Sequence, residues 1–109
     1  MEISFNSKSL RVMCEDEEKA MEVYGKDVSQ KLRSRLADFL AAKNVNELCV
    51  GSPTQITYTS FPAYRVDLVD NYRLIFCSNH IKPVLLDTGL VDWSNVTYIK
   101  ILAIETNYE

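Results

Sequence analysis

The stretch Val66-Asp67-Leu68-Val69-Asp70-Asn71-Tyr72-Arg73-Leu74-Ile75-Phe76 carries the clearest two-residue pattern in the chain. Tyr64, Val66 and Leu68 alternate with Arg65, Asp67 and Val69, and Tyr72, Leu74 and Phe76 alternate with Arg73, Ile75 and Cys77. Alternate residues of a strand share a face, so the two runs predict half-buried strands. Asp70-Asn71 between them suits a two-residue hairpin turn. Met1 to Phe5 predicts a short strand with Ile3 and Phe5 on one face. Ile56-Thr57-Tyr58-Thr59 predicts another, interrupted by Pro62, which suggests an edge or a bend. In Val96 to Ile104, Val96, Tyr98, Lys100, Leu102 and Ile104 alternate with Thr97, Ile99, Ile101 and Ala103. Both sets are largely apolar apart from Lys100, as expected of a central strand covered in part on each side.

Elsewhere the period is longer. Asp16 to Tyr24 predicts a helix with acidic residues in its first turn, where they suit the positive end of the helix dipole. Gly25 ends that pattern. Lys26 to Lys43 predicts a second helix, with Val28, Leu32, Leu36, Phe39 and Leu40 as its apolar stripe. Gly51-Ser52-Pro53 and residues 78–95, with Asn79, Pro83, Gly89 and Asn95, read as loops. The fold expected is α+β: an N-terminal strand and a helical hairpin packed on a curved, mainly antiparallel sheet of four to five strands, as one domain over residues 1–109.

Composition narrows the function classes. A chain of 109 residues builds one core and meets a partner on a surface or shallow groove. The net charge of −3 weighs against a general nucleic-acid binder. The charge is uneven, however. Residues 15–22 set Glu15, Asp16, Glu17, Glu18 and Glu22 against Lys19, whereas residues 26–43 set Lys26, Lys31, Arg33, Arg35 and Lys43 against Asp27 and Asp38. Cys14, Cys49 and Cys77 form no C-x-x-C pair, so neither a disulfide framework nor a zinc site is expected. No leader or bilayer-spanning run is read, and a reduced, cytoplasmic protein without cofactor or metal is the expectation.

Arg73 is the chief candidate for chemistry. An arginine in an apolar strand usually grips a carboxylate or a phosphate with its planar fork. Asp67 and Asp70 in the same hairpin compete with a phosphate for that role. Lys100 lines a site or snorkels at the sheet edge. His80, the sole histidine, is read as a loop residue and Trp93 as a core plug. Tyr58, Tyr64, Tyr72 and Tyr98 are read mostly as sheet and core packing. Lys31, Arg33, Arg35 and Arg65 are candidates for gripping an RNA backbone, against solvated surface positions.

Met1-Glu2-Ile3-Ser4-Phe5, Val66-Asp67-Leu68 leading into Tyr72-Arg73-Leu74-Ile75-Phe76, and Gly89-Leu90-Val91-Asp92-Trp93-Ser94-Asn95-Val96-Thr97 followed by Ile101-Leu102-Ala103-Ile104 occur in an order that resembles the HigB-like killer toxins. These belong to the RelE/ParE superfamily of bacterial type II toxin–antitoxin modules. The resemblance spans almost the whole chain. It implies a toxin that enters the ribosome and cuts mRNA without a metal. The ribose 2′-OH attacks the adjacent phosphate and leaves a 2′,3′-cyclic phosphate and a 5′-OH. The implied partners are the ribosome, mRNA and a helix-turn-helix antitoxin, with DNA met only through the antitoxin. Arg73 matches the family's phosphate-stabilising strand arginine.

The chain departs from the family at its end. Such toxins commonly finish with an Asp-Tyr-His cluster, whereas this strand closes Ile104-Glu105-Thr106-Asn107-Tyr108-Glu109. Some relatives use a terminal tyrosine, which makes Tyr108 and Lys100 the candidates to assist Arg73. An unperturbed phenol near pKa 10 needs positive neighbours to act as a base. Two alternatives remain: a gyrase-directed toxin of the ParE branch without nuclease activity, and a catalytically degenerate member that binds antitoxin and tunes operon repression.

Overall fold

The computed structural model describes residues 1–106. Strand β1 (Glu2–Phe5) is followed by helices α1 (Lys8–Glu15), α2 (Glu17–Tyr24) and α3 (Lys26–Ala41). Strands β2 (Thr54–Tyr58), β3 (Phe61–Asp67), β4 (Tyr72–Ser78) and β5 (Tyr98–Thr106) complete one five-stranded sheet, ordered β1-β5-β4-β3-β2. Only the β1–β5 pair is parallel. The α+β architecture, the N-terminal strand, the hairpin and the central last strand are therefore as expected. No helix among the described residues is long and apolar enough to cross a membrane.

The helical layer holds one element more than the sequence pattern predicts. Residues 8–15 form α1, whose N-cap Ser7 accepts a hydrogen bond from the Leu10 N–H at 3.2 Å. Asp16 opens the acidic helix as expected, as its N-cap, and is also the corner where α1 ends. Its backbone N–H donates to Val12 O at 2.8 Å, and its carboxylate accepts from Lys19 N–H at 3.2 Å. Gly25, at φ +88°, separates α2 from α3 and donates its N–H to Met21 O. A salt bridge between Arg33 and Glu17 ties α3 back to α2.

Two expected periodicities are corrected. Leu40 does not join the apolar stripe of α3: it is 63% exposed. The inward face runs through Val28, Leu32, Arg35 and Phe39, at steps of four, three and four, which hold one face of a 3.6-residue helix. Arg35 thus occupies a place on the buried side, with its side chain only 14% exposed. In β5 a bulge opposite Ile75 and Phe76 shifts the alternation: Phe76 pairs with Ile101, Ile75 with Ala103 and Leu74 with Ile104. Ile99, Ile101 and Ile104 consequently join the core, while Lys100, Ala103 and Glu105 take the opposite face.

The core lies between the helices and one sheet face. Val28, Leu32 and Phe39 meet Val66, Leu74, Phe76, Ile99 and Ile101 there. The Phe39 and Phe76 rings are 5.0 Å apart, and Tyr64 stacks near Phe76 and meets Trp93 edge-on at 4.7 Å. Trp93 is buried, as expected of a core plug. Pro62 sits within β3, opposite Thr57 of β2. The β3–β4 ladder begins only at Tyr64, so the missing proline N–H faces no strand on that side. Asp70 and Asn71 both have positive φ, 56° and 65°, which is the backbone of the tight hairpin turn the sequence predicts.

Candidate functional site

The sheet's other face carries the polar chemistry. Thr54, Ile56 and Tyr58 of β2 oppose Arg65, Ala63 and Phe61 of β3. Arg65 and Asp67 oppose Ile75 and Arg73 of β4, which in turn oppose Ala103 and Glu105 of β5. Directly opposed residues share a face, so Tyr58, Arg65, Asp67, Arg73 and Glu105 all project to the side away from the helices. Arg65 and Arg73 are diagonal neighbours there, roughly 7 Å apart by general sheet geometry.

Sheet twist brings two distant corners of this face together. Tyr58 pairs with Phe61 at one end of β3, while Glu105 pairs with Arg73, which faces Asp67 at the other end. Two whole strands lie between them, yet the Tyr58 hydroxyl donates to Glu105 Oε2 at 3.0 Å. Right-handed twist accumulating over four strands raises diagonal corners toward each other and makes the face concave. The diagonal passes over Ala63 and Ile75. That accounts for exposures of 0% and 3% at residues on a face the helices do not cover. The Arg65 Nε lies under the same diagonal, buried and without a hydrogen-bond partner.

Arg73 stands at the rim of this hollow, its side chain 29% exposed. Its Nε approaches Asp67 Oδ1 at 3.9 Å, too long for a hydrogen bond. The carboxylate anticipated within the hairpin is thus present but only loosely engaged. Glu105 is the cross-strand partner of Arg73, but among the described residues no ion pair joins them. Arg73 approaches Asp67, while Glu105 holds the Tyr58 hydroxyl. The hydrogen bond to Glu105, then burial and the carboxylate's charge, hold the Tyr58 phenol above its usual pKa, so it remains a donor at neutral pH.

The remaining candidates are dispersed. Lys100 opposes Cys77, four positions along β4 from Arg73, about 13 Å at 3.3 Å per residue. Burial raises the Cys77 thiol above its ordinary pKa, and the nearby Lys100 ammonium opposes that shift. Tyr108 lies outside the described residues. Arg35 donates from Nε to the Asp67 carbonyl at 3.1 Å and pairs with Asp38 at 3.5 Å, so it braces the end of β3. Arg33 is engaged by Glu17. Lys31 lines a groove of about 450 Å³ with Asp27, Gln30, Ser34, Val69 and Asp70, where α3 meets the β3–β4 turn. Arg65 alone of these four lies with Arg73. His80 is a brace: its Nε2 accepts from the N–H groups of Thr97 and Tyr98, at 3.0 and 3.3 Å.

Sequence reasoning missed Glu105 and Tyr58. The sequence pattern assigns Tyr58 to packing and Glu105 to the divergent terminus. The available signal was the period-two placement of Tyr58 and Glu105 on the faces of Arg65 and Arg73, and the bulge in β5 concealed it. Among the described residues no three His, Cys, Asp or Glu side chains come close enough to share a metal ion. Comparison with protein families, with curated proteins and with solved structures gave no match to this chain.

Proposed function

We propose that the chain is the toxin of a type II toxin–antitoxin module and that it blocks translation by cleaving mRNA on the ribosome, with Arg73 stabilising the scissile phosphate. The observation that carries this reading is Arg73 itself. It is a strand arginine at the rim of a concave face, and among the described residues no hydrogen bond or ion pair engages its terminal nitrogens. A phosphate at Arg73 receives two parallel N–H donors from such a fork. Those donors are worth most as negative charge builds on the non-bridging oxygens in the transition state. Arg65, diagonal to Arg73 and with a buried, unpartnered Nε, adds a second positive group to the same face. The resemblance to HigB-like toxins supplies the substrate class, the ribosome and the helix-turn-helix antitoxin as partners.

The test is induction of the chain in growing bacterial cells, beside an Arg73→Ala copy, with mapping of RNA 5′ ends. The expected outcome is growth arrest and new 5′-hydroxyl ends inside translated codons. In a translation extract the variant should cut about 100- to 1,000-fold more slowly, the usual cost of removing one oxyanion donor. Arrest with DNA-damage signalling and no cuts would move the reading to a gyrase-directed toxin. Absence of arrest would leave antitoxin binding and operon repression as the role.

A further inference from the structure

We propose that Glu105 is the general base of this site and that Tyr58 is the residue that positions it. The proposal rests on the RNA-cleavage reading and supplies the proton acceptor that the missing terminal histidine leaves open. Three observations meet at Glu105. It is the direct cross-strand neighbour of Arg73, so a phosphate held by the guanidinium brings its ribose alongside the carboxylate. It forms no ion pair with Arg73 among the described residues, so it is not consumed as that residue's counter-ion. Its Oε2 is occupied by the Tyr58 hydroxyl at 3.0 Å, while among the described residues no hydrogen bond reaches Oε1.

The step balances with these groups and water. Glu105 Oε1 takes the proton of the ribose 2′-OH as O2′ forms its bond to phosphorus. The bond from phosphorus to the 5′ oxygen breaks, and that oxygen takes a proton from water. Glu105 then returns its proton to solvent. Arg73 faces the non-bridging oxygens throughout. A general base acts only if aimed, and a carboxylate at the end of an exposed strand samples several rotamers unless held. The phenol, anchored on a strand three places away in the sheet, fixes one carboxylate oxygen, and among the described residues no hydrogen bond reaches the other. Tyr58 touches neither substrate nor reacting atoms in this scheme.

The experiment uses the full chain in a ribosome-containing translation extract with a defined mRNA, under single-turnover conditions and across a pH series. Glu105→Gln should cut about 100-fold more slowly or worse, the usual contribution of a positioned base. It should also lose the rise in rate with pH that the wild-type chain shows at the acidic end. Tyr58→Phe should cut about tenfold more slowly, in line with one hydrogen bond to a charged group. It should lower the rate at saturating ribosome and leave half-saturation unchanged, because Tyr58 contacts Glu105 and not the substrate. A structural role for Tyr58 would change stability and half-saturation together, and thermal melting of each variant separates the two effects. If the wild-type chain cuts and Glu105→Gln cuts within about twofold of it, with an unchanged profile, Glu105 is not the base while the nuclease reading stands. If the wild-type chain does not cut, the nuclease reading fails and takes this assignment with it.

Discussion

Gly51 sits under the end of β3 with φ +76°, and its carbonyl accepts the Asp67 N–H at 2.6 Å. A Cβ there would lie 2.5 Å from Val66 Cγ1, 2.7 Å from Arg35 Nε and 2.9 Å from the Asp67 carbonyl oxygen. Each of these neighbours has a reason to stay where it is. Val66 is in the core, and Arg35 donates to that same Asp67 carbonyl. Gly51→Ala therefore meets strained backbone and overpacking together, and should cost at least about 2–3 kcal/mol in urea unfolding. The loss should reach the site as well, because Asp67 faces Arg73 from β3. Asp67 shows how a residue of ordinary appearance becomes a junction: its N–H, its carbonyl and its carboxylate meet Gly51, Arg35 and Arg73 respectively. The Gly-Ser-Pro loop signal marks Gly51 in the sequence, but nothing local announces that a helical arginine passes beneath it.

At the level of elements, Asp16 does the work of two caps. It closes α1 with its backbone and opens α2 with its side chain, so the acidic run is divided at that residue. Asp16→Ala removes the acceptor for Lys19 N–H and should cost about 1 kcal/mol, read as a drop of a few degrees in melting temperature. Asp16→Asn, which keeps an acceptor, should restore most of it. The elements legible from sequence were the five strands, α2, α3 and the turn at Asp70-Asn71, each with a readable period or turn signal. α1 was not, because eight residues give barely two turns, with Leu10 as its one buried side chain. The bulge in β5 was not legible either, since one extra residue changes faces without any change in composition. That same bulge places Glu105 rather than Ile104 on the face of Arg73. Arg73 stood out in the sequence because a guanidinium is costly in an apolar strand. Its companions did not, because Tyr58 and Glu105 are 47 positions apart and meet only through the twist of the whole sheet.

Across the whole molecule, charge decides how the proposed site would meet RNA. The net charge of −3 opposes long-range attraction of a polyanion, so affinity must come from cations gathered on one surface. The concave face and its margin offer three, Arg65, Arg73 and Lys100, whereas Lys31 and Arg33 belong to the helical layer on the other side of the sheet. Each phosphate neutralised on single-stranded RNA lowers the logarithm of the binding constant by about 0.7 per tenfold increase in salt. Titration of a short single-stranded RNA against the isolated chain should therefore give a slope of about −2, falling toward about −1.4 for Arg73→Ala. A slope steeper than about −3 would require the helix cations, and would place the RNA across the edge of the sheet instead of in its hollow. So few contacts give weak binding to free RNA. On the proposed reading, the chain would need a larger partner to hold the strand while Arg73 engages a single phosphate, as a nuclease acting on the ribosome would.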